Sequence, residues 1–450
     1  MTRFRRYLYW NYDRISAGRN WLTRRLTPTA ILLMVVLVAA GSLGADTSLS
    51  LAYQAFAFLL CLLMVAWASR WFFRGSFGVR RDLPRLASIG VTLAYEVKVT
   101  NQSHRRQRGL WLMEDLEDPR PTQWEFDHIA EPDEARRPWP DRRSGYYRWM
   151  WITSQKRKAK IVQQPIPDLP PSGEGLVRME FVPRRRGVLA FRGATVACPD
   201  VFGIFRTCRS IEVRQTVLIL PKRYKVPVLA LAGTRKYQPR GVALASSVGE
   251  SEEFMSLRDY RPGDPWRHIH WNSWAKTGKP IVKEFADEFF VRHALVLDTF
   301  TREPFSELLE EAVAVAASFV CALPAQDALL DLLFVGPQAY CFTSGRGLAQ
   351  AEQMLEILAA VPACMDRPFE TLQQLVFSHA QALSGCICVF LAWDQLRQEL
   401  VSGLKALGIP MRVFVVVKAG ETLEPGPLSD QPECFHPLEI DHIQETLNRL

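Results

Sequence analysis

Two long uncharged runs near the N-terminus restrict this chain more than any other feature. Residues 29–45 (TAILLMVVLVAAGSLGA) and 49–69 (LSLAYQAFAFLLCLLMVAWAS) contain no Asp, Glu, Lys or Arg. Each approaches the roughly 20 residues a helix needs to cross a hydrocarbon core. A signal peptide fits the first run poorly, because 28 residues precede it and a second run follows at once. The flanks set the expected orientation. Arg3, Arg5, Arg6, Arg14, Arg19, Arg24 and Arg25 face the single Asp13 before the first run, and Arg70, Arg74, Arg80, Arg81 and Arg85 follow the second. The short connection between the runs carries only Asp46. The excess of arginine outside the hairpin predicts that both termini stay in the cytoplasm, with Trp67, Trp71, Phe72 and Phe73 at the interface. The expected organisation is a basic N-terminus over 1–27 and two transmembrane helices within 28–72.

At 450 residues, the chain has room for further domains beyond this anchor. The formal charge of +8 is concentrated beside the two apolar runs, where anionic lipid attracts it. The run Lys156-Arg157-Lys158-Ala159-Lys160 is the one basic stretch that invites a nucleic-acid reading. No nucleic-acid module surrounds it, so a solvated or lipid-facing loop is expected and nucleic acid is not an expected partner. The nine cysteines are odd in number, scattered, and lack CxxC or Cys/His zinc spacing. They read as small buried apolar residues of a reducing compartment.

Beyond the anchor, residues 76–222 alternate with period two. Leu93, Tyr95, Val97 and Val99 interleave with Thr92, Ala94, Glu96 and Lys98, and Val177, Met179 and Phe181 interleave with Arg178 and Glu180. Further short runs at 188–191, 195–197 and 217–220 complete the pattern of an all-β, immunoglobulin-like sandwich. Residues 114–175, rich in Pro, Arg, Asp, Glu and Trp, break the alternation and predict a long insertion of little periodicity, partly ordered by its aromatics, either a partner-binding lid or a tolerated loop. A connector and an unusual charged segment fill 223–290. Residues 291–450 then alternate apolar strands (293–298, 328–336, 386–393, 411–417) with amphipathic helices, as in an α/β domain with a mostly parallel sheet. Gly336-Pro337 predicts a hairpin between 328–336 and 339–344.

The segment 251–285 interleaves Arg258, Asp259, Arg261, Asp264 and Arg267 with Tyr260, Trp266, Trp271 and Trp274 around the turn Pro262-Gly263. Arginines that pair with carboxylates and stack on aromatic rings can hold such a segment together. The spacing of Glu253-Phe254, Arg258, Tyr260, Gly263-Asp264, Arg267, Ile269, Trp271, Ser273, Ala275, Gly278 and Glu284-Phe285 resembles the signature of the bacterial domain of unknown function 58 family. The stretches 199–205 and 217–222 resemble what precedes that signature. One position departs from the family pattern: His270 stands where an Asp usually precedes the tryptophan.

The resemblance implies a von Willebrand factor A-like fold for 291–450, facing the cytoplasm at the bacterial inner membrane. It implies as partners a MoxR-type AAA+ ATPase and a transglutaminase-like membrane protein. Such folds carry a Mg²⁺ site on an Asp-x-Ser-x-Ser motif with a later Thr and Asp, because Mg²⁺ demands near-octahedral oxygen ligands. Here the motif reads Asp298-Thr299-Phe300-Thr301-Arg302, so Asp298, Thr301 and Asp394 form a degenerate remnant and Arg302 is expected to neutralise Asp298.

Chemistry elsewhere is sparse. His268 and His270 form an H-x-H pair near Asp264, better read as ordinary hydrogen-bonded histidines than as metal ligands. Ser251, His268 and Asp259 supply the residue types of a triad without a nucleophile elbow, and no phosphate-binding lysine loop occurs. The signature residues Glu253, Arg258, Tyr260, Gly263, Asp264, Arg267, Trp271, Ser273 and Glu284 are expected to form a structural clasp first, a docking surface second and an active site last. The expected function is a non-enzymatic membrane adaptor that presents its α/β domain to the ATPase or its client. A membrane-bound hydrolytic enzyme using 251–285 is the alternative, and a membrane-surface nucleic-acid binder ranks third.

Overall fold

The computed structural model describes residues 3–43, 50–69, 71, 75–132, 134–227, 254–262, 264, 266–285, 291–322, 328–344 and 348–450. Two compact units account for them, one of Met1–Tyr224, Thr301–Ser318 and Leu355–Met365, the other of Lys225–Phe300, Phe319–Met354 and Asp366–Leu450.

The first unit opens with three helices. The arginine-rich residues 3–25 form a helix α1 (Arg3–Arg25), with Arg24 and Arg25 in its last turn complementing the helix dipole. Pro28 starts α2 (Pro28–Leu43) at the first helical position, where its missing N–H costs nothing. The third helix, α3 (Ser50–Ser69), contains the stretch Leu51–Ser69, long and apolar enough to cross a membrane. At 16 residues, α2 is equally apolar but shorter, so one helix among the described residues meets the length for a span.

Strands β1 (Phe77–Asp82), β2 (Leu86–Ser88), β3 (Leu93–Asn101) and β4 (Trp111–Leu116) follow. The insertion is more regular than its weak periodicity suggests. It holds helices α4 (Gln123–His128), α5 (Trp139–Ser144) and α6 (Tyr146–Lys156) before β5 (Ala159–Ile161) and β6 (Gln164–Pro165). Short helices of six residues leave little periodicity to read, but α4 has a capping box in which Thr122 and Glu125 satisfy each other's backbone N–H groups. Strands β7 (Glu174–Pro183), β8 (Gly187–Pro199) and β9 (Arg206–Leu220) complete the unit's sheets. One sheet runs β1-β3-β7-β5 and the other β2-β9-β8-β4-β6. Their inner faces share one core that includes Val97, Val99, Met179, Phe181, Phe191, Val196 and Ile219. The runs at 188–191 and 195–197 belong to a single 13-residue strand with a bulge between Phe191 and Gly193.

A charged cluster lies inside that apolar core. The Arg81 and Glu114 side chains are both wholly buried and bonded at 2.7 and 3.0 Å. Arg81 also donates to the carbonyls of Val213 and Gly193, and the Tyr95 hydroxyl donates to Glu114 at 3.0 Å. Burial pushes the Glu114 carboxyl up, against the pull of Arg81, and pushes the Tyr95 phenol up as well. Residues from β1, β3, β4, β8 and β9 therefore meet around one buried ion pair, which ties the two sheets together.

In the second unit, β10 (Phe254–Asp259) pairs antiparallel with β11 (Ile281–Phe285), flanking α7 (Trp271–Thr277). Next along the chain come β12 (Val291–Leu297), α8 (Glu307–Ala322), most of which belongs to the first unit, β13 (Ala328–Val335), β14 (Ala339–Ser344), α9 (Leu348–Ala360), which is divided between the units, and α10 (Glu370–His379). The chain finishes with β15 (Gly385–Phe390), α11 (Gln395–Ala406), β16 (Met411–Val417), β17 (Phe435–Glu439) and α12 (Ile443–Leu447). Six strands form one sheet in the order β14-β13-β12-β15-β16-β17, parallel except for β14. All six residues of β15 are buried, as expected for a central strand covered on both faces. Successive strands are added first on one side of β12 and then on the other. The order reverses between β12 and β15, the switch point at which open α/β sheets bind ligands.

Removing one partner of a buried ion pair leaves an uncompensated charge, which costs roughly 3–5 kcal/mol. Arg81→Ala should destabilise the chain by about that much in thermal or denaturant unfolding, whereas Arg81→Met combined with Glu114→Met should restore most of the loss.

Candidate functional site

Two places in the second unit concentrate chemistry. The first is the carboxyl end of the sheet at the switch point. Asp298 follows β12 directly and is fully buried. Its Oδ1 accepts the Phe300 N–H at 3.0 Å and its Oδ2 accepts the Leu391 N–H at 3.1 Å. From the first turn of α11, Arg397 brings Nε and Nη2 to Asp298 Oδ2 at 3.0 and 2.9 Å. Its Nη1 reaches Asp394 Oδ2 at 2.5 Å. Asp394 is also the N-cap of α11, accepting the Arg397 N–H at 3.1 Å. The guanidinium lies 4.4 Å from the centre of the Phe369 ring, which itself packs edge-on to Phe300 at 5.3 Å. Complete burial pushes the Asp298 carboxyl above its ordinary value, while Arg397 and the two amides pull it down.

This geometry corrects the expected neutralising partner: the guanidinium at Asp298 belongs to Arg397, not Arg302. It also bears on Mg²⁺ at Asp298, Thr301 and Asp394. The space between the two carboxylates is filled by a fixed cation, and no group of three or more His, Cys, Asp or Glu with metal-binding placement occurs among the described residues. The Thr301 N–H donates to the Cys364 carbonyl and its hydroxyl accepts the Glu303 N–H. An octahedral shell of oxygens is not available here, and the residues present do not fit Mg²⁺.

The second place is the charged signature. Arg258 grips Asp264 in a two-pronged ion pair at 2.7 and 2.8 Å, and Asp264 accepts the Arg261 N–H at 2.8 Å. The Arg258 guanidinium and the Arg261 amide hold the Asp264 carboxyl down to about 2. The pair closes the segment on itself, between the end of β10 and the turn after it. Tyr260 donates its N–H to Pro280, His270 donates its own to Ile281, and Ile269 and Val282 are buried beneath. Outside this frame Trp266 and Trp271 are largely exposed, with Trp271 stacked on Trp274 at 5.3 Å and Trp266 against Tyr260 at 6.5 Å. His270 Nδ1 lies 2.6 Å from the Ser273 hydroxyl, a contact one helical turn long that the sequence reading did not single out. Glu253, Gly263 and Ser251 lie outside the described residues, as do the side chains of Arg267 and Glu284. The structure thus joins Arg258 with Asp264 and His270 with Ser273, while Tyr260 and Trp271 contribute ring surface.

A third feature, in the first unit, is a cavity of about 1660 Å³ whose lining includes Arg19, Arg24, Asp115, Lys156, Arg186 and Glu310. Within it Arg24 pairs with Asp115, Lys156 with Glu125 and Arg186 with Glu310.

A doubly wound α/β domain with an ion-paired crevice and an aromatic, arginine-clamped hairpin before it defines the class. Residues 256–423, from within β10 to just beyond β16, match the family described as "Protein of unknown function DUF58". The "Uncharacterized protein YeaD" of Bacillus subtilis (strain 168) is 26% identical over 178 residues, covering 39% of this chain and 42% of the relative. The chain thus matches about two fifths of the length of that relative. Among solved structures, the CARDB domain of a Pyrococcus furiosus protein, in complex with di-metal ions, overlaps 32% of this chain and 89% of its own, with 12% identity and a TM-score of 0.17. A Salmonella alpha-2-macroglobulin mutant overlaps 36% of this chain and 9% of its own, with 12% identity and a TM-score of 0.19. Both likenesses are too slight to define a fold.

Arg397→Ala would strand Asp298 in the core, so it should cost about 3–5 kcal/mol of stability. Millimolar Mg²⁺ or EDTA should leave the melting temperature of the unaltered protein unchanged. For Asp264 the folded pKa lies below the ordinary 3.8, so its contribution is complete above about pH 4 and is lost as the pH falls towards 2. Asp264→Asn should flatten the pH dependence of stability in that window alone, as read by thermal unfolding at stepped pH.

Proposed function

We propose that this chain is a non-enzymatic adaptor, anchored in the bacterial inner membrane, that presents a von Willebrand A-like domain to a MoxR-type AAA+ ATPase or to its client. The observation that carries this reading is the switch-point crevice. Where such sheets place their reactive or ligand-binding groups, this chain places a satisfied Asp298–Arg397–Asp394 cluster, which favours a rigid contact rim over chemistry. The exposed Trp266 and Trp271, backed by the Arg258–Asp264 clamp, add the kind of aromatic anchor that dominates binding energy in protein interfaces. On this reading α2 and α3 form the transmembrane hairpin, both termini are cytoplasmic, and a transglutaminase-like membrane protein is a further partner. The ATPase performs the mechanical work and this chain supplies location and recognition.

A second reading has one observation in its favour. The 2.6 Å contact between His270 and Ser273 pairs a base with a hydroxyl inside the signature, as a hydrolytic site requires. A short bond between residues three apart at the start of α7 is also what local helix-end packing produces.

The test is mild-detergent affinity purification of the full chain, with and without ATP, followed by identification of what is retained. The adaptor reading expects an AAA+ ATPase retained in a nucleotide-dependent manner. It also expects Trp266→Ala with Trp271→Ala to weaken retention by about 2 kcal/mol, roughly thirtyfold, with the fold intact. Recovery of the chain alone under both conditions overturns it. Ester or peptide hydrolysis by the purified chain that disappears with Ser273→Ala and with His270→Ala would establish the second reading instead.

A further inference from the structure

Helix α1 has two faces. One is docked on its own unit: Tyr12 donates to the Ser144 carbonyl at 3.1 Å, and Ser16 accepts from the Trp149 indole at 3.1 Å. Asp13 pairs with Arg120 at 2.8 Å and Arg24 pairs with Asp115. The rings of Tyr9 and Tyr12 pack against Phe126 and Trp149. On the remaining surface Tyr7, Trp10, Ile15, Trp21 and Leu22 are exposed, and their spacing of three, seven and eleven residues brings them to one side of the helix. Arg14 lies over Trp10 at 3.4 Å and Arg25 over Trp21 at 4.7 Å, so cations and aromatic rings alternate along that side.

The same unit supplies a second exposed apolar element. The turn between β8 and β9 is fastened to the start of α2 and the end of α3. Thr27 Oγ1 donates to the Gly203 and Ile204 carbonyls at 2.8 and 2.9 Å, and Ile204 and Phe205 share a core with Ala30, Leu63 and Ala66. Asp200 Oδ1 takes the Ile204 and Phe205 amides and stiffens the turn. At its tip Val201 is 85% exposed, with Phe202 beside it half exposed.

We propose that α1 lies in the plane of the membrane surface on its Tyr7–Trp10–Ile15–Trp21–Leu22 side, with the Val201-Phe202 tip inserted beside it into an anionic leaflet. This rests on the reading of α3 as a membrane span. Three observations select lipid as the occupant. Continuity is the first: α1 runs through Leu26 and Thr27 directly into α2, and the turn is fixed against the same helix ends. Charge is the second: α1 holds seven arginines and one acid, and that acid, Asp13, is already paired. Composition is the third, because tryptophan and tyrosine beside arginine on an exposed helix side are what the headgroup boundary accommodates. Each basic residue near an anionic surface contributes on the order of 1 kcal/mol.

The test uses the full chain in vesicles of phosphatidylcholine with phosphatidylglycerol. A benzophenone-bearing phenylalanine replaces Tyr7, Trp21 or Phe202 in turn, with Asn20 on another side of α1 and Phe58 in α3 as references. Each labelled chain is first required to keep the parent's thermal transition. Lipid adducts are expected at Tyr7, Trp21, Phe202 and Phe58 but not at Asn20. Adducts on α1 should fall several-fold in vesicles of phosphatidylcholine alone. Adducts at Phe58 with none at Tyr7, Trp21 or Phe202 overturn the proposal and leave the span standing. Failure at Phe58 as well overturns both. Equal labelling at Asn20 and Trp21, or labelling indifferent to lipid charge, overturns the proposal.

Discussion

A guanidinium taken out of water must bring its counter-charge with it, and three such pairs organise this chain. Arg81 with Glu114 sits in the sandwich core, Arg292 with Asp331 joins β12 to β13, and Arg397 with Asp298 closes the crevice. Each pair includes a carboxylate with no exposed side-chain surface. Partners this buried add little net stability over apolar substitutes, but they are costly to break. Their contribution is therefore to exclude alternatives. Only one register of β1, β3, β4, β8 and β9 offers Arg81 two carbonyls and a carboxylate at once. Likewise Thr343 completes the Asp331 acceptor set only when β14 is aligned with β13 as found.

The crevice pair has a further consequence for function. An Asp cluster that depends on a divalent cation changes its charge and its donors when the cation leaves. With Arg397 covalently part of the rim, the cation between Asp298 and Asp394 cannot leave. On the adaptor reading proposed above, control over docking comes from outside the crevice. The signature hairpin is the natural alternative, because Trp266 and Trp271 are exposed while the clamp beneath them is rigid.

Features carried by local pattern were legible in the sequence. The uncharged runs became α2 and α3, the alternation of 93–99 and 177–181 became the paired strands β3 and β7, and Gly336-Pro337 joined β13 to β14 in a hairpin. The Arg258–Asp264 partnership was readable as residue types at short range, though not as a particular pair. What escaped has two physical causes. Contacts across long separations leave no local trace: Arg397 lies 99 positions from Asp298, so Arg302, four residues away, looked the nearer counter-charge. Elements shorter than two helical turns carry too few residues for a period, which is why α4 and α5 were missed. Helix α1 was different. Its arginines dominated the reading, although the spacing of its aromatic residues already held the helical signal.

The position of α1 also gives the insertion a structural purpose that its sequence concealed. Phe126 of α4 and Trp149 of α6 are buried together, and both rings meet Tyr9 and Tyr12. Aromatic contacts of this kind contribute about 0.5–1.5 kcal/mol each beyond their buried area. Around them Asp13–Arg120 and Ser16–Trp149 fix the rotation of α1 about its axis. A helix held along one side by a platform has its other side chosen for it. Without α4 and α6, the segment before α2 would be oriented only near its end, by the Arg24–Asp115 pair; with them, its exposed tryptophans are presented on the same body whose β8–β9 turn is bonded to the foot of α2.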